Sequence, residues 1–411
     1  MINNSVEKYS PAVQGNAVKG IGKSQLLRRP GERLLFRLHL WIGLFVLTLA
    51  HARNPLRALR WLGQLKRKYQ AVFGGRMAKK VVRVGGRYFW NIGGPGFPSP
   101  SFRRNWENEL NREFHFRPGT NGIRDLFFAI TSKCPYHCAH CFEWERLNQA
   151  ESLTQADIEE VVRRYQEFGT GQIIFSGGEP MLRWKDIVAV LEKAGKDSDF
   201  RIFTSGFSLT EEKAHRLKQA GLTGVTVSLD HWQEDWHDSF RGYEGAYQQA
   251  VQAVHHARDA GLVCGLSICV TREMCDWDNL QAYCDLAKNL GVCFVQLLEP
   301  VPVGHFSGKD VVLSVDQLKL LESFYLRMNT DPAFQEYPIV DYQGFHQRRS
   351  GCMGAGNRYM YINPQGYVQR CPFCSEPIAH ALAFPVSDIV GLLQGVGCAS
   401  SLAGFASGSE R

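Results

Sequence analysis

Residues 126–142, LFFAITSKCPYHCAHCF, decide how this chain is read. The first six form a short apolar run ending at Thr131, the pattern of a buried strand. In the loop behind it stand Cys134, Cys138 and Cys141, a C-x3-C-x2-C array. Thiolates bind iron-sulfur clusters, and three closely spaced ones can hold three corners of a cubane while the fourth iron stays open. The competing reading is a zinc site in which His137 or His140 adds a fourth ligand. Both histidines are read here as loop residues.

From residue 126 onward, short β-like runs alternate with amphipathic helical patterns. The strands expected are Leu126–Thr131, Gln172–Ser176, Arg201–Thr204, Gly224–Leu229, Val263–Val270 and Phe294–Glu299. Between them lie helical stretches such as Thr154–Phe168, Thr210–Ala220, Tyr247–Ala260 and Asn279–Leu290, the first opened by Ser152 or Thr154 as a cap. Six strand-helix units imply a parallel α/β sheet with right-handed crossovers, curled into a partial or full barrel. Function in such a barrel sits at the carboxyl ends of the strands. The second strand ends there in FSGGEP, where Gly177 and Gly178 allow close backbone approach and Glu179, before Pro180, offers a charge to a cation.

With the cysteine array, the aromatic Phe142 behind it and the GGEP sequence about 40 residues on, the chain resembles the radical S-adenosylmethionine (SAM) superfamily. The resemblance implies a 4Fe-4S cluster on Cys134, Cys138 and Cys141 whose open iron chelates SAM. Reductive cleavage of SAM there gives a 5′-deoxyadenosyl radical that abstracts hydrogen from a substrate. It further implies that Gly177, Gly178, Glu179 and Pro180 contact the SAM amino group, and that Ser205 in FTSG binds SAM. Ser228 and Asp230 in SLD fall near the ribose and methionine parts, and Arg241 in HDSFRG receives the carboxylate, a task suited to a guanidinium. Ser267 is expected beside the adenine. Cys264 and Cys269 read as small core residues, and Cys275, Cys284 and Cys293 are assigned no metal.

Near the other end, Cys352, Gly366, Cys371 and Cys374 form C-x13-G-x4-C-x2-C, with NPQG turning between short strands at Tyr359–Ile362 and Tyr367–Gln369. This resembles the SPASM or twitch extension of radical SAM enzymes, which carries auxiliary clusters. The C-x5-C-x3-C continuation of a full SPASM region is missing, so one auxiliary 4Fe-4S cluster is the most expected, on Cys352, Cys371 and Cys374 with Cys398 as the fourth ligand. A zinc ribbon is the alternative, because thiolate spacing alone does not choose the metal. The domain expectation is a basic amphipathic segment over 1–100, a radical SAM core at 120–310, the SPASM/twitch-like region at 340–399 and a tail at 400–411.

The resemblance covers residues 124 to 398 and leaves the first hundred unexplained. The chain has 411 residues, 44% of them hydrophobic and 12% aromatic, enough for a substantial core and too apolar for disorder. Its net charge of +7 is uneven: residues 1–85 hold 17 Lys/Arg against 2 Asp/Glu, which leaves the remainder at −8. Twelve cysteines in this length are too sparse for a disulfide scaffold and indicate a reducing compartment. The apolar run Leu34–Ala50 is interrupted by Arg37 and His39, and the uncharged stretch Leu40–Ala50 is short of the roughly 20 residues of a span. Arg28-Arg29 and Ala50-His51-Ala52 loosely imitate an export signal, but export would remove the enzyme from cytosolic SAM. Pro55–Gln70 reads as a basic amphipathic helix suited to an anionic membrane surface. Residues 91–101, NIGGPGFPSPS, read as a linker or irregular loop, and GGRYFW at 85–90 as a turn and strand.

The function expected is radical hydrogen abstraction from a peptide or cofactor precursor, with an electron donor such as flavodoxin or ferredoxin, in the cytoplasm or on the inner face of its membrane. The alternatives are a lipid or isoprenoid substrate and, from another class, a non-catalytic iron-sulfur or zinc scaffold. Nucleic acid is not expected, since the basic block lacks a recognisable RNA-binding pattern.

Overall fold

The computed structural model describes residues 24–72, 80–119 and 122–396. Cys398 and the tail at 400–411 lie outside them. The described chain opens with β1 (Gln25–Leu26), α1 (Pro30–Ala52), α2 (Pro55–Val72), β2 (Val82–Val84), β3 (Arg87–Phe89) and α3 (Pro100–Phe114). The barrel units come next as β4 (Asp125–Thr131), α4 (Gln155–Glu167), β5 (Gln172–Gly177), α5 (Trp184–Lys193), β6 (Asp199–Thr204), α6 (Glu211–Ala220), β7 (Gly224–Ser228), α7 (Glu234–Arg241), α8 (Ala246–Asp259), β8 (Val263–Cys269), α9 (Trp277–Asn289) and β9 (Phe294–Leu298). The chain continues through α10 (Val315–Thr330), β10 (Ile339–Tyr342), α11 (Gln343–Ser350), β11 (Tyr359–Ile362), β12 (Tyr367–Gln369), β13 (Ala379–His380) and α12 (Val386–Val396).

All six expected strands form, and they pair in parallel in chain order. Their core-facing residues, among them Leu126, Phe128, Ile173, Phe175, Ile202, Val225, Val227, Leu266, Ile268 and Val295, are buried in one continuous core with the covering helices. Near-continuous apolar strands are what a parallel sheet covered by helices demands. The fold extends further than six strands. β10 adds a seventh in parallel on β9, and β11 pairs in parallel with β4, so the C-terminal strands β11–β13 prolong this ten-stranded sheet rather than forming a separate one.

The described residues before 100 close the end of the barrel where the strands begin. β2 and β3 form a hairpin at the Gly85-Gly86 turn, and Val82, Val84, Phe89 and Ile92 pack on Val263, Phe294 and Ile339, the first residues of β8, β9 and β10. Arg87 pairs with Asp199 at the start of β6 (2.8 Å), which also accepts from Ser101 (2.8 Å). Residues 91–99 are irregular in backbone but packed, with Ile92 and Phe97 each 4% exposed. They are part of this cap. α1 and α3 form its outer layer, joined by Trp106 donating to Thr48 Oγ1 (3.1 Å).

Phe89 is 2% exposed between the hairpin and the strand starts, so Phe89→Ala is expected to destabilise the fold by about 3–5 kcal/mol. Urea unfolding of the two proteins measures the difference.

Candidate functional site

The three cysteines lie just beyond β4 at the carboxyl end of the sheet, and their loop is gripped through its backbone from three sides. From β5, the Gly178 amide donates to the Thr131 carbonyl and the Glu179 amide to the Lys133 carbonyl, both at 2.7 Å. From the end of α7, the Arg241 and Phe240 carbonyls accept from the amides of His137 (3.1 Å) and Ala139 (2.8 Å). From the short turn Gly304–Phe306, the His305 amide donates to the Cys141 carbonyl (2.9 Å), and His305 Nδ1 lies 2.9 Å from the Cys138 carbonyl. A β-carbon on Gly178 would meet the Lys133 oxygen at 2.3 Å, and one on Gly304 the Cys141 oxygen at 2.3 Å. Asn148 completes the hold, accepting from the Cys134 amide (3.0 Å) and donating to its carbonyl (3.1 Å).

The thiols of Cys134, Cys138 and Cys141 pack together around Tyr136 and Ala246. Burial pushes Cys134 and Cys141 up to about 12, with the neighbouring cysteines adding to it, and raises Cys138 against the pull of Arg241. Among the described residues, no three His, Cys, Asp or Glu side chains gather tightly enough to hold one metal ion. A zinc ion draws its ligands to about 2.0–2.3 Å, whereas a cubane spreads three thiolates over three irons. His140 stacks on Phe240 (centroids 4.8 Å apart) and His137 stands edge-on to Trp144 (6.3 Å).

The expected SAM contacts fall into two groups. Glu179 is fully buried, and its carboxylate accepts from Thr204 Oγ1 (2.7 Å), the Ser205 amide (2.8 Å), Ser205 Oγ (2.5 Å) and the Met181 amide (2.9 Å). Gly177, Gly178, Glu179 and Ser205 thus tie the ends of β5 and β6 to the cysteine loop, and Pro180 starts the short turn behind them. Asp230 and Arg241 pair with each other, and a second Arg241 nitrogen lies 3.7 Å from Cys138 Sγ. Burial raises the Asp230 carboxyl, but Arg241, His140, His237 and the Cys269 amide outweigh it and hold the group below the ordinary carboxylate range. Arg241 Nε and His237 Nε2 remain buried without a hydrogen-bond partner. A buried donor without a partner suits a water, an ion or a ligand, and this donor set fits an anionic group beside Cys138. Ser228 ends β7 half-buried, in register with buried Ser267 on β8. A cavity of 160 Å³ opens between these strand ends, lined by Asp230, Trp236, Phe240 and Cys269.

In the second cysteine set, Cys371 and Cys374 lie together. Cys371 Sγ lies 3.5 Å from Cys374 Sγ, and Cys352 Sγ accepts from the Gly354 amide at 3.4 Å. Cys371 is raised by its hydrogen bond to Cys374, by burial, and by the charges of Cys374 and Cys352. These donors suit a thiolate-bound metal group without choosing it. Cys264, Cys269, Cys275, Cys284 and Cys293 are all buried.

Residues 128–282 match the Radical SAM superfamily. The chain carries a radical SAM domain. It is 26% identical over 299 residues to an AdoMet-dependent heme synthase of Nitratidesulfovibrio vulgaris, covering 66% of this chain and 79% of the relative. It is 28% identical over 253 residues to a PqqA peptide cyclase of Bradyrhizobium diazoefficiens, covering 60% and 66%. Among solved structures it resembles Streptococcus suis SuiB bound to the precursor peptide SuiA (TM-score 0.56, 15% identity, 72% and 71% of the two chains). It also resembles anSMEcpe with bound AdoMet and a peptide (TM-score 0.53, 16% identity, 64% and 79%). At these identities the structures speak for the fold.

Residues 128–282 are therefore a radical SAM domain, and enzymes of that superfamily use a 4Fe-4S cluster and SAM. The roles of Asn148, Gly304 and His305 have no sequence signature, since each engages the backbone of the cysteine loop.

This packing has two measurable outcomes. Gly304→Ala is expected to displace the loop and remove up to about four irons per chain after reconstitution, with the far-ultraviolet circular dichroism unchanged. Because ligation expels protons from thiols raised this far, iron uptake is expected to strengthen several-fold from about pH 7 to about pH 8.5; an iron titration at each pH reads the shift.

Proposed function

We propose that this enzyme abstracts hydrogen from a peptide or a cofactor precursor that enters at the carboxyl ends of the strands, using two metal groups set side by side. When bound, the cluster on Cys134, Cys138 and Cys141 supplies reductive cleavage of SAM to the 5′-deoxyadenosyl radical. The chain's own part is to hold that group: Gly177, Gly178, Glu179, Pro180 and Ser205 shape one wall, and Ser228, Asp230 and Arg241 the other. Arg241 Nε is a buried donor without a partner, suited to a carboxylate of SAM.

The observation that carries the substrate reading is the contact between the two cysteine sets. Phe142, next to Cys141, stands edge-on to Phe373, next to Cys374, with centroids 6.2 Å apart. Arg146 donates to the Ser375 carbonyl (3.1 Å), and Tyr361 on β11 donates to Glu143 (2.6 Å). A second thiolate site against the first suits chemistry in which substrate lies between a radical source and an auxiliary metal group, on Cys352, Cys371 and Cys374 with Cys398 as the fourth ligand. The relatives include a peptide cyclase and a heme synthase, and a peptide or cofactor substrate accords with both. A flavodoxin or ferredoxin would deliver the electron in the cytoplasm.

Anaerobic reconstitution with iron and sulfide tests this. The expected result is about eight irons per chain, falling to about four in a Cys134→Ala, Cys138→Ala, Cys141→Ala variant, with 5′-deoxyadenosine formation lost in that variant. A wild-type count near four with one zinc would assign zinc to the second set, and zinc at both sets without SAM cleavage would remove the enzyme reading.

A further inference from the structure

We infer that the protein docks on an anionic bilayer through the outer face of α1 and the basic side of α2, with the mouth of the barrel turned away from the lipid. The inference concerns a surface remote from the cysteines and does not depend on which substrate is used.

α1 is apolar on both sides, and among the described residues the core packs on one of them. Phe36, Leu40 and Leu44 pack into the cap with Phe97 and Phe102, Gly43 lies against the Phe97 ring, and Thr48 bonds Trp106. On the opposite side Leu34, Leu35, Leu38, Ile42 and Val46 are 54–68% exposed, a stripe at i, i+4 spacing. α2 also exposes two leucines, Leu56 and Leu59. A contiguous apolar patch of this kind on a folded surface marks an interaction site.

Charge selects the occupant. Residues 28–72 contain ten Lys and Arg and one acid, Glu32. Arg37, Arg53, Arg57, Arg60, Lys66 and Arg67 are exposed around the stripe. A second copy of this surface would bring like charge against like charge, whereas anionic headgroups complement it. α1 is 23 residues long and apolar enough to cross a membrane by length and composition, longer than the sequence pattern indicates. Its inner face is committed to the cap, so it lies along the interface instead of across it.

Orientation is set by topology. The cap sits where the parallel strands begin: Arg87 on Asp199, Phe89 beside Val263 and Phe294, and Arg33 bonded to Gln335 just before β10. The cysteine loop stands where β4 ends. With β4 seven residues long, the two ends are separated by roughly 20 Å of sheet. A lipid within the same bilayer is therefore out of reach of the mouth, and a water-borne substrate is not.

The test uses the full chain and vesicles of phosphatidylcholine with or without about 30% phosphatidylglycerol. Flotation with the anionic vesicles is expected, and a Leu34→Gln, Leu38→Gln, Ile42→Gln variant should lose at least tenfold of it while keeping its circular dichroism and its 5′-deoxyadenosine formation. Arg57→Gln, Arg60→Gln, Arg67→Gln should weaken flotation and blunt its dependence on salt, which covers the case of a misfolded first variant. In hydrogen exchange, vesicles should slow residues 34–50 and leave residues 133–147 and 301–309 unchanged. Failure of wild type to float, flotation of both variants at the wild-type level, or a salt-sensitive dimer or acidic-protein complex in place of vesicle binding overturns the docking. Vesicle protection of 133–147 overturns the orientation.

Discussion

The backbone of residues 131–142 must be held still while its thiols are left free for metal, and that constraint organises the carboxyl face of the barrel. Loops keep many conformations unless their amides and carbonyls are engaged, at about 1–2 kcal/mol of entropy per residue fixed. Here the engagement comes from three distant segments, β5, the end of α7 and the turn at 304–306. Each approaches closely enough that its glycine is required: a β-carbon on Gly242 would meet the His137 oxygen at 2.8 Å, much as at Gly178 and Gly304. The same contacts place Glu179 and Arg241, because each adjoins a gripping residue. Site and scaffold are therefore the same set of hydrogen bonds.

The opposite end has the reverse problem, since strand beginnings expose apolar side chains with no loop to cover them. The N-terminal hairpin, residues 91–99 and α3 supply that cover, and the charges buried beneath it are held by backbone carbonyls. Arg201, 2% exposed beneath the cap, donates to the Gly94 carbonyl (3.1 Å), and Lys80 donates to the Tyr337 and Pro338 carbonyls. Burial lowers Lys80 to about 7. The exposed β4 edge, a liability in any open sheet, is taken by β11.

What sequence discloses depends on whether the signal is local. Continuous apolar runs mark β4 to β9 to within two residues, because strands buried on both faces need them. The four-residue β10, IVDY, carries no such run and is not legible. β11 and β12 are visible as a hairpin around NPQG, but nothing local can show β11 pairing with β4, more than 200 residues earlier. The site divides the same way. The cysteines and GGEP are contiguous and legible, and the grip of Asn148, Gly242 and Gly304 is not. Asp230 and Arg241 each read from sequence as a ligand to SAM, and their pairing with one another arises only from how α7 returns over β7.

That β11–β4 pairing also decides where the second cysteine set can be. Its register sets Tyr359 beside Asp125 and Ile362 beside Phe128, and this brings the Tyr361 hydroxyl to Glu143, two residues beyond Cys141. A slip of two residues would keep every side chain on its face of the sheet but move Tyr361 by about 6.6 Å along β4, breaking that bond and the Phe142–Phe373 contact together. The buried Tyr361–Glu143 bond, in a setting where an unpaired polar group costs about 1–3 kcal/mol, therefore selects one register among those the alternation permits. It fixes the distance between the two thiolate sites by fixing the strand that carries one of them.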